Sequence, residues 1–89
     1  MPAKRSSRDV HFPEVVRAYR AQVSRRILQL MGGRSQRAWA RELNIPQQNI
    51  SRYVSGDNVP HLDFLVHLGR REKVNLNWLV LGEGKMTRE

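Results

Sequence analysis

The central stretch of the chain, residues 35–58, decides the fold; it reads SQRAWARELNIPQQNISRYVSGDN. Ser35 is a favourable helix N-cap, because its hydroxyl can accept a backbone N–H of the first turn. The triplet 44–46 (Asn-Ile-Pro) ends this helix, since Asn tolerates a left-handed backbone and the residue before a proline avoids the helical region. A second helix is predicted from residue 46 or 47 to residue 54, before a polar loop at 55–58. The stretch therefore predicts two short helices joined by a tight turn.

The second of these helices has one apolar and one polar face. At about 100° per residue, Ile50, Tyr53 and Val54 fall on one side. The other side carries two amides, a hydroxyl, a guanidinium and no acid, from Gln47, Gln48, Ser51 and Arg52. In the major groove, side-chain amides can pair with adenine and Arg with guanine. The polar face therefore has base-reading chemistry, although a merely solvated face is the alternative that this helix alone leaves open.

Three further helices are predicted around this pair. Pro13 is well placed to begin a long helix that ends at Gly32-Gly33 and carries an apolar stripe. Its arginines fan over the remaining faces, so this helix is interpreted as scaffold. One helix follows Pro60, and a short last helix follows Asn75 and ends at residues 82–84. With no strand pattern and no internal repeat, the predicted fold class is an all-α domain.

Composition and charge narrow the class of protein. The 89 residues make one small domain, and 16 basic against 8 acidic side chains give a net charge of +8. This excess favours a polyanionic partner, either nucleic acid or an anionic membrane surface, and residues 1–34 carry +6 of it. The absence of cysteine excludes disulfides and Cys-based zinc sites, and fits a reducing compartment. The longest apolar run, 78–81, is far too short to cross a membrane.

A set of residues in the helix pair and around it forms a recognisable pattern: Gln36, Ala40, Leu43, Ile45, Gln47, Gln48, Ile50, Ser51, Tyr53, Gly56 and Pro60. Together with the closing segment 77–84 (NWLVLGEG), the pattern resembles the lambdoid phage repressor and Cro type of helix-turn-helix domain, also called the xenobiotic-response-element type. The resemblance covers about residues 14–84. It implies a compact five-helix, lambda-repressor-like domain with a central helix-turn-helix.

The resemblance also implies roles for single residues. Family members read base edges from the positions of Gln47, Gln48 and Arg52, with Ser51 a weaker candidate on the same face. Contacts with the phosphate backbone are implied for Gln36, Ser35, Ser55 and Asn58. Arg37 and His61 are added because each lies near a helix start, where an external anion is favoured. A solvated side chain is the alternative for both.

The chain departs from the family pattern in two respects, a missing ion pair and a missing helix cap. Many members pair a Glu before the loop with an Arg of the first helix, where this chain has Val54 and Gln29. We expect an apolar contact in place of that ion pair. Pro46 stands where the family usually has a Ser or Thr cap, which leaves open the exact start of the recognition helix and the placement of Gln47.

The end of the domain carries the predicted dimer contact. Trp78, Leu79, Val80 and Leu81 cannot all point inward from one short helix. We expect Trp78 and Leu81 to pack on the core, with part of Leu79 or Val80 outside. In the resembled family this end supplies much of the dimer contact, so Leu79 and Val80 are predicted at a dimer interface. A fully buried closing turn is the alternative.

The predicted function is a sequence-specific regulator of transcription that binds double-stranded DNA. It is expected to be a repressor that binds a palindromic operator as a homodimer, with half-sites about 10 bp apart. The alternative is an antitoxin or adaptor that mainly binds a protein partner, suggested by the long basic first helix. The protein is expected in the cytoplasm, associated with the nucleoid when bound to DNA.

Other functional classes find no support in the sequence. The three histidines do not form a metal site, no Ser, His and acid form a triad, and no glycine pair follows a strand. We therefore predict no enzyme activity, no catalytic residue, no cofactor, no metal and no membrane partner. The predicted organisation is a flexible basic arm at 1–12, the helix-turn-helix domain at 13–84 and a C-terminal tail at 85–89. The arm could reach a phosphate backbone or a minor groove of DNA. The alternative is a solvated tail that only aids solubility.

Overall fold

The computed structural model describes residues 12–88, so the predicted arm lies outside them except for its last residue. Four α-helices and one π-helical turn follow one another along this part of the chain: α1 (Phe12–Met31), α2 (Gln36–Leu43), α3 (Gln47–Ser55), α4 (Leu62–Arg71) and the closing turn (Asn77–Leu81). The first helix packs on α3 and on the closing turn, whereas α2 packs on α3 and α4. The predicted all-α, five-helix class is confirmed.

The caps of α2 agree with the sequence. Ser35 has an extended backbone, and its hydroxyl oxygen accepts the N–H of Ala38 at 3.0 Å. At the other end Asn44 is left-handed, with φ 60°. The N–H of Asn44 donates to the carbonyl of Arg41 at 3.2 Å, and the next N–H donates to Ala40 at 3.0 Å. This double closure turns the chain directly into α3.

The core draws on every element and on the connection before the closing turn. Its buried apolar side chains are Val23, Ile27, Met31, Trp39, Ala40, Leu43, Ile50, Tyr53, Phe64, Leu68, Val74 and Leu79. The predicted stripe of α1 is buried in its second half. In the first half, Tyr19 is 37% exposed and lines an apolar groove with Val16 and Val59.

The closing turn corrects the prediction for two residues. Leu79 is fully buried and Leu81 is 49% exposed, the reverse of what was expected. The expectation assumed α-helical spacing, but the turn is π-helical. The wider path of a π-helix changes which side chains face inward. Val80 is half-buried, and Trp78 packs against the core as predicted. Leu79 therefore has no surface left for a second copy of the chain.

The C-terminal segment folds back on the domain. The N–H of Asn75 donates to the carbonyl of Met86, and the N–H of Arg88 donates to that of Lys73, both at 2.9 Å. The Arg88 guanidinium also donates to the carbonyl of Gly69, at 2.9 Å. The described part of the predicted tail is thus packed against the end of α4, which the sequence did not indicate.

Candidate nucleic-acid interface

The third helix is sharply two-sided in the structure. On its inner side Ile50 is fully buried and Tyr53 nearly so, and the Tyr53 ring lies 4.5 Å from that of Phe64, centroid to centroid. On its outer side all four predicted base-reading residues are exposed: Gln47, Gln48, Ser51 and Arg52. Packing thus fixes the helix by its apolar side and leaves the amides, the hydroxyl and the guanidinium facing solvent.

Both ends of α3 are set by the backbone. Pro46 is extended, offers no side-chain cap, and accepts the N–H of Asn49 on its carbonyl at 3.1 Å. The helix begins at Gln47, which answers the question raised by the missing Ser or Thr cap. At the other end Gly56 has φ 83°, which a residue with a Cβ adopts only with strain. The chain therefore leaves α3 abruptly at this glycine.

The predicted phosphate contacts differ in the donors they can offer. Ser35 uses its oxygen to cap α2, and its hydroxyl hydrogen has no acceptor among the described residues. Ser55 donates its hydroxyl hydrogen to the carbonyl of Arg52 at 3.0 Å and accepts the N–H of Asp57 at 3.3 Å. Gln36 is half-buried, whereas three other predicted contacts are exposed: Arg37, Asn58 and His61. Of these residues, Ser55 has its hydroxyl hydrogen already engaged, at the C-terminal end of α3.

The first helix meets the end of α3 through a serine. The buried Ser24 hydroxyl donates to the carbonyl of Tyr53 at 2.7 Å. Val54 packs partly buried against the core, but Gln29 is exposed and lies along a different groove of α1. The hydrogen bond described between α1 and the end of α3 thus comes from Ser24, and an apolar contact between Val54 and Gln29 stays a prediction. A small hydroxyl lets α1 approach α3 more closely than a long side chain would.

A polar cluster that the sequence did not reveal holds α2 against α4. Arg34 donates to Glu42 at 2.8 Å and to Glu72 at 3.0 Å, and its guanidinium carbon lies 5.3 Å from the centroid of the Trp39 ring. The buried Trp39 indole donates to Glu72 at 3.2 Å. Hydrogen bonding to Glu72, and secondarily to Glu42, raises the pKa of Arg34. Glu72 lies 38 positions from Arg34 and 33 from Trp39, so no local pattern marks these two contacts.

The fourth helix also satisfies the C-terminal end of α2. A ring nitrogen of His67 lies within hydrogen-bond distance of the Leu43 carbonyl, and the Arg71 guanidinium donates to the carbonyl of Glu42. The last carbonyls of a helix have no partner within the helix, and the cationic Arg71 guanidinium suits that end of the helix dipole. These contacts hold the C-terminal end of α2 against α4.

A comparison with known families decides the class of this arrangement. A family model described as the bacteriophage CI repressor helix-turn-helix domain matches residues 22–87. The chain belongs to this family. The resemblance drawn from the helix pair and the closing segment is confirmed. No curated protein and no solved structure matches the chain.

Membership of the CI repressor family gives the helix pair its function. The protein is a DNA-binding regulator of transcription, from a regulatory family rather than an enzyme family. No helix within residues 12–88 is long and apolar enough to cross a membrane. In the same residues no three His, Cys, Asp or Glu side chains are grouped so that they could hold a metal ion.

The arginines of this CI-type domain fall into two groups. Arg26, Arg34, Arg71 and Arg88 donate hydrogen bonds inside the protein. The side chains of the second group show no hydrogen bond or ion pair to the part of the chain that is described: Arg17, Arg20, Arg25, Arg37, Arg41, Arg52 and Arg70. Two members of the second group, Arg37 and Arg52, are predicted DNA contacts.

Proposed function

We propose that this DNA-binding regulator is a repressor that binds a palindromic operator as a homodimer. The observation that carries the proposal is the exposed, acid-free face of α3, formed by Gln47, Gln48, Ser51 and Arg52. Each glutamine amide can donate to and accept from an adenine edge, and Arg52 can donate twice to a guanine. These side chains would read the operator from the major groove.

Phosphate contacts at either end of the helix pair would hold α3 in register. Arg37 is exposed in the first turn of α2, where it lacks an acidic neighbour in the same turn. The Ser35 hydroxyl hydrogen beside it has no acceptor in the described part of the chain and could donate to a phosphate. Across the motif, Asn58 is exposed and His61 forms the N-cap of α4 without a side-chain cap bond. A phosphate at each end would fix the angle at which α3 enters the groove.

A dimer would use the apolar surface around the closing turn. Val80 lines the apolar groove with Tyr19 and Val59, and Leu81 next to it is 49% exposed. We place Leu81 in the proposed interface instead of Leu79, because Leu79 is buried. One recognition helix contacts too few base pairs for high specificity, which two helices about one DNA turn apart would supply.

Selection from a randomised duplex library at near-physiological salt tests the proposal. Enrichment of a site with two-fold symmetry and half-sites about 10 bp apart supports the dimeric DNA reader. A single asymmetric half-site would contradict the dimer but not the reading face. Sequence-indifferent binding would contradict both and favour the alternative partner, a protein held by an antitoxin or adaptor.

A reporter assay in cells separates repression from activation. The selected site is placed across a promoter, and expression is compared with and without the protein. Repression predicts lower expression that is restored by Arg52→Ala, and higher expression would contradict it. A fluorescent fusion in the same cells tests the predicted location, in the cytoplasm and on the nucleoid.

A further inference from the structure

A groove separates the middle of α1 from the end of α3. It is lined by Arg17, Arg20, Ala21, Ser24, Arg25, Leu28, Val54, Ser55 and Gly56. Three of these residues are arginines from α1, and none is acidic. The fourth arginine of this helix, Arg26, instead donates to the carbonyls of Leu79 and Val80. The arginines that fan around α1 thus divide into one that supports the fold and three that border one groove.

The guanidinium of Arg20 is incompletely satisfied in this groove. Its Nε is buried and has no hydrogen-bond partner among the described residues. Buried donors nearly always have partners, because an unmade bond leaves the cost of desolvation uncompensated. Arg17 and Arg25 are exposed beside it, and neither has a partner among residues 12–88. A groove that is lined by several cationic donors and by no acid is suited to an anion.

The position of the groove indicates which anion. Ser55 lies in its wall and is one of the predicted phosphate contacts. Its hydroxyl hydrogen, however, is donated to the carbonyl of Arg52. A DNA backbone that passes this end of the recognition helix therefore meets a serine with its donor engaged, beside three arginines without described partners. Guanidinium groups bind phosphate oxygens through two parallel hydrogen bonds.

We propose that this groove binds a phosphate of the DNA backbone, with Arg17, Arg20 and Arg25 as the donors. The inference rests on the proposed function for its ligand, operator DNA, and extends the contact surface from the helix pair to α1. The bond from Ser24 to the carbonyl of Tyr53 holds α1 beside α3, so the site moves as one body with the recognition helix. The first helix is then a binding element as well as scaffold.

The salt dependence of DNA binding tests this site. Arg17→Gln, Arg20→Gln and Arg25→Gln are compared with the wild type by fluorescence anisotropy, on the selected operator and on a scrambled duplex of equal length. Loss of one phosphate contact lowers the slope of log affinity against log salt by about 0.9. The control is Arg70→Gln, which removes the same charge from an exposed arginine that borders a different groove. Circular dichroism and thermal melting verify that each variant is folded.

A lower slope on both duplexes for the groove variants, with the wild-type slope for Arg70→Gln, supports the site. Wild-type slopes for all groove variants, or an equal drop for Arg70→Gln, would overturn it.

If no preferred sequence is selected but the slope still drops on the scrambled duplex, the groove site stands and the sequence-specific repressor does not. If a symmetric operator is selected but the slopes are unchanged, the dimeric DNA reader stands and the groove site does not. No DNA binding by the wild type overturns both.

Ethylation interference locates the phosphate. With wild-type protein, ethylation of one phosphate near the end of the half-site should inhibit binding. With Arg20→Gln the same ethylation should cause no further loss, whereas Arg20→Lys, which keeps the charge, should restore part of the inhibition. An interference pattern shared by Arg20→Gln and the wild type would contradict a contact from Arg20.

Discussion

Arg34 and Arg52 show how the same side chain serves two different ends in one small domain. Beneath α2, Arg34 is held by Glu42 and Glu72 and lies over the ring of Trp39. On α3, Arg52 is exposed with no acid in its own helix. The charge of Arg34 is paired within the protein, whereas the charge of Arg52 has no acidic partner among the described residues. The difference lies in the partners that the fold provides, so residue type alone does not reveal it.

This contrast assigns opposite consequences to substitutions in the two regions. A change in the internally paired region should lower the free energy of unfolding and affect DNA binding only through folding. A change on the outer face of α3 should alter DNA binding and leave stability nearly unchanged, since exposed positions away from special features rarely shift stability by more than about 0.5 kcal/mol. A residue whose substitution lowered stability and also changed base preference would contradict this division.

The largest expected effect is in the core at the closing turn. Leu79→Ala should lower the free energy of unfolding by about 2–5 kcal/mol, because it leaves a cavity under a fully buried side chain. Urea denaturation at several protein concentrations measures this loss. Leu62→Ala is the matched control and should cost less than about 1 kcal/mol, since that side chain is 73% exposed and lies outside the proposed dimer surface. Equal losses at the two positions would contradict the assignment of Leu79 to the core.

The polar cluster should give the next largest effect. Arg34→Met should cost about 1–3 kcal/mol, because it leaves the mostly buried Glu72 carboxylate without its cation. A double-mutant cycle with Glu72→Gln isolates the pair, and a coupling energy near zero would contradict it. Because hydrogen bonding raises the pKa of Arg34, the stability that its charge contributes is fully present below the pKa of unfolded arginine and is lost as the pH rises through the raised pKa of the folded state.

On the recognition face the effect should appear in binding. Arg52→Ala should reduce discrimination at one base pair of the half-site by about 1–3 kcal/mol, because Arg can pair with a guanine through two hydrogen bonds. Selection of binding sites with the variant measures the loss position by position. The free energy of unfolding, measured in parallel, should stay within about 0.5 kcal/mol of the wild type. An unchanged selected sequence would remove Arg52 from the reading face.

Much of the fold could be predicted because its signals are local. Ser35 caps α2, Asn44 adopts the left-handed conformation, and Gly56 ends α3, each through contacts within a few residues. The outer face of α3 was predictable for the same reason, since regular helical spacing places its polar residues together. The prediction failed where spacing was not regular: the π-helical turn exchanged the expected burial of Leu79 and Leu81.

The remaining features depend on contacts between distant parts of the chain. Glu72 meets Arg34 across 38 positions, and the Ser24 hydroxyl reaches the Tyr53 carbonyl across 29. An arginine can pair with any acid of the chain, and a serine hydroxyl can donate to any carbonyl. The residue types alone therefore do not identify these partners. The groove of α1 arginines has the same origin, because it exists only once α3 packs against that helix. Such sites become visible when the packing is known.

The smallest expected effect tests whether a functional arginine is tolerated at the expense of stability. Arg37 lies in the first turn of α2, near the positive end of the helix dipole, and that turn contains no acid. Arg37→Gln should therefore raise the free energy of unfolding by about 0.3–1 kcal/mol. Arg41→Gln, in the last turn of the same helix, is the control and should not be stabilising, because a cation suits that end.

Arg37→Gln should also weaken binding to all DNA sequences alike and lower the salt slope by about 0.9. A gain in stability together with a loss of binding would place Arg37 with Arg52, among residues kept for an external partner. A loss of stability would instead place it with Arg34.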